Sequence, residues 1–195
     1  SAFMQTNTST GLNFELSEEQ KAVRDAARDF AQNVLKPGVI DRDREQRFPK
    51  DEVRQLGELG FLGMMVSPKY GGGGMDAVSY VLAMEEISKV DASCSVVMSV
   101  NNSLVCWGLE EFGNEEQKQK YLVPLAKGDV IGAFCLSEPE AGSDATSQRT
   151  TAIDMGDHYL LNGTKNWITN GGTASTYLVM AQTDVAKGHK GINTL

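Results

Sequence analysis

Polar and aromatic side chains suited to holding a planar ligand concentrate in two short segments of the chain. The first, residues 133–144, begins as an apolar run that predicts a strand and is stopped by Pro139. It then opens into a small polar loop, Gly142-Ser143-Asp144. The second, residues 163–172, contains an indole and a hydroxyl two positions apart. The sequence therefore predicts a strand that delivers a donor-rich loop, followed by a polar and aromatic segment.

The second segment predicts a strand in which Trp167 and Thr169 share one face while Ile168 points into the sheet. A flat redox-active heterocycle needs such a face, with an aromatic wall, a hydroxyl beside a ring nitrogen and backbone N–H groups near any phosphate. Gly142 allows a close backbone approach because it lacks a Cβ, and Ser143 supplies a further donor.

Each segment alone has an ordinary structural explanation. A tryptophan in a strand usually packs in the core, and a Gly-Ser pair usually marks a turn. No lysine follows Gly142 as the loop that binds nucleoside triphosphates requires. A second glycine segment, residues 72–77, fits the dinucleotide fingerprint, but Pro68 interrupts before it and no alternation of strands and helices follows. We interpret that segment as a flexible loop.

Together, the first two segments resemble the signature segments of the acyl-CoA dehydrogenase family, flavoenzymes that desaturate acyl-CoA thioesters. The resemblance covers nearly all of the chain after residue 11. Its other matching segments are Leu16-Ser17, Tyr70-Gly71-Gly72, Glu85-Glu86-Ile87-Ser88, Ser99-Val100-Asn101-Asn102-Ser103-Leu104, Phe112-Gly113 and Lys190-Gly191-Ile192. The segment at residues 99–104 is most similar to the short-chain (butyryl-CoA) branch.

The resemblance implies that FAD lies against the strand-rich half of the chain. Trp167 would form the aromatic wall, Thr169 would donate near the flavin N5, and Ser143 would also lie near the CoA portion of the substrate. The residues that the resemblance assigns to the cofactor are Phe134, Cys135, Leu136, Ser137, Gly142, Ser143, Trp167, Ile168 and Thr169. In most of the family the base is a carboxylate of a C-terminal domain, so we name no catalytic residue and expect the base beyond Leu195.

The implied activity is FAD-dependent α,β-dehydrogenation of a short-chain acyl-CoA in fatty acid β-oxidation. The implied partners are an electron-transferring flavoprotein and further copies of the chain in a homotetramer. The implied compartment is the bacterial cytoplasm or, as an alternative, the mitochondrial matrix. Two other functions stay open: an acyl-CoA oxidase on the same fold, and a catalytically silent module that binds acyl-CoA or a partner.

Composition and charge exclude several other classes of function. The net charge is −8 over 195 residues, without a cluster of Lys and Arg, which argues against a nucleic-acid or anionic-membrane surface. The sequence has no run of about 18 uninterrupted apolar residues, so it predicts no membrane-spanning helix. Cys94, Cys106 and Cys135 lack metal-site spacing and predict buried, reduced thiols, while His158 and His189 are isolated, so we expect no metal.

Apolar periodicity changes from about 3.6 to 2 near residue 130. We predict an α+β chain with a helical domain over residues 12–130 and an antiparallel, barrel-like β domain over 131–195, truncated at its end, without the family's C-terminal helical bundle. Residues 1–11 predict an expression scar and a disordered start. The predicted strands are 131–136, 150–154, 158–161, 166–169 and 176–182.

Three carboxylates could suggest acid–base chemistry. Glu85 and Glu86 are adjacent on a predicted helix, where neighbours diverge by about 100° and cannot face one substrate together. We interpret them, and Glu138, as structural residues.

Overall fold

The computed structural model describes residues 12–195, so the prediction for residues 1–11 lies outside the described part of the chain. Helices occupy the first part and strands the second, which confirms the α+β fold class. The α-helices are α1 (Glu18–Phe30), α2 (Val39–Glu45), α3 (Lys50–Glu58), α4 (Ala77–Ser88), α5 (Ala92–Ser99), α6 (Trp107–Phe112), α7 (Glu115–Gln117) and α8 (Val123–Lys127). The strands are β1 (Gly132–Cys135), β2 (Thr151–Asp154), β3 (Tyr159–Asn162), β4 (Thr176–Gln182) and β5 (Ile192–Thr194).

Helix starts follow the sequence closely. Ser17 and Gln20 form a reciprocal capping box at α1, and Asn114 and Gln117 form another at α7. The Asp76 side chain caps α4 by accepting a hydrogen bond from the Ser79 amide. These side chains satisfy amides that the first helical turn would otherwise leave unpaired.

The sequence predicts that the first helix ends at Pro37 and that a later helix ends at about Leu122, before Pro124, and both predictions are wrong. The chain continues helically past Pro37 through a tight turn, Lys36–Gly38, into α2, and past Pro124 to Lys127. A π-type turn precedes each proline, Ala31–Leu35 before Pro37 and Lys118–Leu122 before Pro124. Each proline therefore lies where the helical hydrogen-bond pattern already changes register, and its missing N–H interrupts the ladder there without ending the helix. Gly128, with φ +78°, is the actual stop.

Residues 92–112 form one long helix, α5 and α6 joined by a wider π-type turn, Val100–Cys106. Within the described chain this one helix is long and apolar enough to cross a membrane by length and composition, yet half of its apolar window is buried in the fold. It also carries the buried Asn101 and Asn102. Burial among other elements identifies it as a core helix.

The strands form a mixed, open sheet, so the antiparallel, barrel-like arrangement predicted from the sequence is wrong. β1 and β4 are parallel, while β2 pairs with β3 and β4 pairs with β5 in antiparallel fashion. The strand order is β1-β4-β2-β3, with β5 beside β4. Turn glycines favour antiparallel hairpins, but β1 and β4 are distant in sequence and no hairpin fixes their direction.

Two apolar cores hold these elements together. One packs α1, α3, α4 and α5 around buried residues such as Phe30, Leu56 and Ile87. The other joins the end of the long helix to the sheet, with Val105 and Leu178 in one cluster. The sheet is therefore attached to the helices by a continuous apolar contact.

The glycine-rich segment after Pro68 is a loop, as interpreted from the sequence. A Cβ on Gly72 would lie 2.1 Å from the Val66 carbonyl oxygen. Glycine is therefore required there for a close approach between two backbone segments.

Candidate cofactor site

The structure brings the two candidate segments into direct contact at the end of β1. The Asn166 amide donates to the Ser137 carbonyl over 2.8 Å. The Lys165 ammonium donates to the Leu136 carbonyl over 2.9 Å. The loop that carries Trp167 is therefore fixed against the strand that opens into the Gly142-Ser143 loop.

A buried ion pair joins the same segments. The Lys165 Nζ lies 2.8 Å from Glu138 Oε1, and the two side chains are only 11% and 6% exposed. Glu138 also accepts hydrogen bonds from the Arg149 and Thr150 amides at 2.6 and 3.0 Å. Burial alone would raise the pKa of Glu138, but these amides and the ammonium outweigh it and lower the pKa to about 2.

Residues 166–169 are not a strand, so the expected alternation of Trp167, Ile168 and Thr169 is wrong. Trp167 lies at a bend with φ +60°, in the left-handed region. Its side chain is 93% exposed. An exposed indole on a left-handed backbone gains nothing from packing, and such strain is concentrated at functional sites.

Thr169 and Ile168 are both half-buried, and Thr169 begins a turn. Thr169 and Asn170 line an open cleft of about 850 Å³ whose opposite wall is formed by α2 and α5. The Asn170 side chain donates to the Gly132 carbonyl over 3.0 Å, which ties the far end of the loop to the start of β1. The loop is therefore held at Lys165 and at Asn170, on either side of Trp167.

The predicted residues on β1 and directly after it differ in exposure. Cys135 is 6% exposed, and burial raises the pKa of its thiol, so only its backbone could reach a ligand. Phe134, Leu136 and Ser137 are half-buried. Phe134 lines a second cleft, of about 760 Å³, with Trp107 and Tyr177.

Gly142 and Ser143 lie exposed in the loop after β1. A Cβ on Gly142 would have no atom within 4 Å, so the space beside this backbone is open. The Asp144 carboxylate accepts hydrogen bonds from Thr146 and Ser147 in the next turn, at 2.7 and 2.5 Å. The loop is therefore tied down by hydrogen bonds at Asp144, while the space beside the Gly142 backbone stays open.

The paired carboxylates on α4 are engaged in ion pairs, as interpreted from the sequence. Glu86 is buried and receives two hydrogen bonds from Arg28, at 3.1 and 3.2 Å, which lower its pKa. Glu85 is exposed and lies 3.4 Å from Lys89. Glu86 is therefore held by Arg28, and Glu85 forms a surface ion pair.

Sequence reasoning missed the residues that assemble the site, namely Lys165, Gln148 and Asn170. A lone lysine or amide in a polar loop belongs to no periodic pattern, so the sequence does not indicate which residue it will hydrogen-bond. Two buried amides on the long helix, Asn101 and Asn102, also support this region. The Asn101 side chain accepts a hydrogen bond from the Gly132 amide over 2.9 Å, at the start of β1. Across residues 12–195, no group of three His, Cys, Asp or Glu side chains could hold a metal ion.

Family models match both parts of the chain. The model for the acyl-CoA dehydrogenase N-terminal domain matches residues 17–129, and that for the acyl-CoA dehydrogenase middle domain matches residues 133–195. A short-chain-specific acyl-CoA dehydrogenase of Clostridium acetobutylicum is 48% identical over 182 residues, 93% of this chain and 48% of the relative. The chain thus spans about half the length of the curated relatives it matches.

Solved structures agree with the sequence matches. Butyryl-CoA dehydrogenase from Megasphaera elsdenii superposes with a TM-score of 0.89 at 42% identity, over 94% of this chain and 49% of that one. A glutaryl-CoA dehydrogenase from Mycobacterium smegmatis, in complex with FADH2, gives 0.83 at 40% identity, over 87% and 44%. A structure described as an electron transferring flavoprotein of Acidaminococcus fermentans gives 0.91 at 46% identity, over 94% and 48%.

Proposed function

Because the chain belongs to the acyl-CoA dehydrogenase family, we propose that it provides the flavin-contacting face of an enzyme that converts a short-chain acyl-CoA to its trans-2-enoyl thioester. One observation carries the proposal: the Asn166–Ser137 hydrogen bond joins the two signature segments and leaves the Trp167 indole exposed beside them. The short-chain preference is supported by the name of the Clostridium relative.

The residues present fit FAD. Trp167 offers a bare aromatic surface, and a flat heterocycle would bury it and offset the cost of its left-handed backbone. The open space beside Gly142 admits a phosphate-bearing chain near backbone amides. FAD, when bound, would accept the β-hydrogen of the substrate as hydride.

The contacts that we propose for each residue are those that the family resemblance implies. Trp167 would cover the flavin ring, and the Thr169 hydroxyl would donate to a ring nitrogen. Phe134, Leu136 and Ser137 would contact the pyrimidine side, Leu136 and Ser137 through atoms that their hydrogen bonds with the loop leave free. Gly142 and Ser143 would bind the phosphates and, through Ser143, the CoA portion. Cys135 and Ile168 would contribute backbone or packing only.

Removal of the α-proton requires a base with a pKa near the working pH and free access to the substrate. Glu86 is held by Arg28, and Glu138, with its pKa near 2, is held by Lys165. We therefore propose that no carboxylate within residues 12–195 is the base, and we assign the chain's residues to binding and orientation.

The proposed electron acceptor is an electron-transferring flavoprotein, since the glycine segment at residues 72–77 lies in a loop without the strand–helix context of a nicotinamide site. A chain similar to this one occurs in a structure whose description names an electron transferring flavoprotein, which supports a functional link between the two kinds of protein. The proposed assembly, a homotetramer, rests on family resemblance.

The test is a chimera in which residues 12–195 replace the matching part of the Clostridium relative. We expect anaerobic butyryl-CoA to bleach its flavin absorbance, and reoxidation by an electron-transferring flavoprotein rather than by NAD. Rapid reoxidation by oxygen would instead favour the oxidase. A chimera that binds FAD and butyryl-CoA without bleaching would favour the silent binding module.

The 195-residue chain alone, mixed with FAD and butyryl-CoA, is the matched control. We expect no bleaching, because losing positioned proton abstraction costs about 10²- to 10⁴-fold in rate. Bleaching by the chain alone would contradict the assignment of its carboxylates. Glu85, Glu86 and Glu138 would then be the residues to replace.

A further inference from the structure

The Glu138–Lys165 ion pair lies at the contact between the two signature segments, and its two side chains are almost fully buried. We propose that this pair is a positioning device that fixes the Trp167–Thr169 loop in its FAD-binding geometry. The inference rests on the proposed function, and it concerns residues that do not themselves contact the cofactor.

The hydrogen-bonding capacity of the ammonium group is fully used. Lys165 Nζ donates to Glu138 Oε1 at 2.8 Å, to the Leu136 carbonyl at 2.9 Å and to Gln148 Oε1 at 3.2 Å. An ammonium has three donors, so three acceptors from three different positions fix it in space. Gln148 is itself buried, which keeps water from competing for the group.

The Glu138 carboxylate, like the Lys165 ammonium, is held by several hydrogen bonds. Its two oxygens accept hydrogen bonds from the Arg149 and Thr150 amides in addition to the ion pair. Arg149 and Thr150 lead into β2, so Glu138 connects the end of β1 to the start of another strand. The pair is therefore attached to two strands of the sheet and to the loop.

Trp167 depends on this attachment because it has almost no packing of its own. It lies two residues after Lys165, and the intervening Asn166 amide bonds to Ser137. A loop with an exposed tryptophan at φ +60° keeps that geometry only if its flanking residues are held. Lys165 holds the first flank.

Stability alone is a poor explanation for such a pair. Replacing a buried ion pair with apolar or neutral residues of similar size is often neutral or stabilising, whereas removing one partner leaves a costly buried charge. A variant in which both partners are replaced therefore distinguishes a pair that fixes the loop geometry from a pair that only stabilises the fold. If the pair fixes the geometry, the Trp167–Thr169 loop stays less ordered in the double variant even though the stability of the fold is restored.

The experiment compares Lys165→Met with Glu138→Gln/Lys165→Met in the full 195-residue chain. The matched control is Glu140→Gln, which breaks the exposed Glu140–Arg149 ion pair of the same loop. Two quantities are measured: hydrogen exchange of the peptide containing the Asn166 amide, without FAD, and the dissociation constant for FAD. The melting temperature reports stability.

We expect Lys165→Met to lower the melting temperature and the double variant to restore it. In both, Asn166 should exchange faster, and FAD should bind about ten- to a hundredfold more weakly, by analogy with the loss seen when the hydrogen-bond partner of a metal ligand is removed. Glu140→Gln should change neither quantity. Wild-type exchange and affinity in the double variant would overturn the inference, since the pair would then be structural only.

A milder variant keeps the test decisive if the double variant does not fold. Gln148→Leu removes one of the three acceptors of Lys165 and leaves the ion pair, so Asn166 exchange should rise moderately. Unchanged exchange in that variant would also overturn the inference. Failure of the unsubstituted chain to bind FAD would instead contradict the proposed function, and the exchange comparison would still test the ion pair.

Discussion

Replacing Trp167 with alanine should weaken FAD binding strongly while leaving the fold almost unchanged. The side chain is 93% exposed, so it buries roughly 20 Å² of the about 250 Å² that a fully buried tryptophan removes from water. At about 25 cal/mol per Å², this burial contributes only about 0.5 kcal/mol to the free energy of unfolding. Alanine keeps the same left-handed backbone, so no strain is relieved.

The loss of binding should be several times larger. A flavin that covers one face of the indole would remove roughly 100 Å² of it from water, which corresponds to about 2.5 kcal/mol. That free energy is about a seventyfold change in the dissociation constant. A large loss of FAD affinity with a small loss of unfolding free energy would therefore identify Trp167 as a binding residue and not a packing residue.

The assay pairs urea denaturation with equilibrium dialysis against FAD. Phe14→Ala is the matched control, because Phe14 is another exposed aromatic residue, 86% accessible, that precedes α1. It should leave FAD binding unchanged. Wild-type FAD affinity in Trp167→Ala would refute the wall assignment, and a loss of several kcal/mol in unfolding free energy would refute the description of the loop.

Three further predictions concern the residues around this site. Asn101→Ala should lower the free energy of unfolding by about 2 to 3 kcal/mol, because it leaves the Gly132 amide unpaired in the core; an unchanged urea midpoint would contradict this. Glu138 has a pKa lowered to about 2 by folding, so its stabilisation is present above about pH 4.5 and is lost as the pH falls toward 2. Urea titrations between pH 5 and 3 should therefore show a shallower loss in Glu138→Gln than in the unsubstituted chain, and equal slopes would count against it. Ile168→Ala should cost about 1 to 2 kcal/mol, less than a fully buried isoleucine, since Ile168 is half-buried; denaturation at neutral pH measures it.

Helix starts in the first part of the chain can be predicted from short-range sequence patterns. Capping residues such as Ser17, Asp76 and Asn114 begin helices because their side chains satisfy neighbouring amides, a relation written within three residues of sequence. The helix ends predicted at Pro37 and Pro124 are wrong, since both prolines closely follow a π-type turn, where the hydrogen-bond pattern already changes register and the helical backbone continues.

The candidate site could be located from the sequence but not assembled from it. Its two segments were identified by residue type and resemblance, whereas their contact depends on Lys165 meeting Glu138 across a long separation. The strand predicted at residues 166–169 failed because Trp167 takes a left-handed backbone that local propensity disfavours. Such a conformation is held by tertiary hydrogen bonds, which periodicity does not encode.

The most direct test of the account is the fluorescence of Trp167 during titration with FAD, in a chain carrying Trp107→Phe so that Trp167 is the remaining tryptophan. If the indole forms the wall of the flavin site, its emission should be quenched almost completely at one FAD per chain. Binding of FAD without quenching of Trp167 would contradict the account, because the cofactor would then lie elsewhere on the chain.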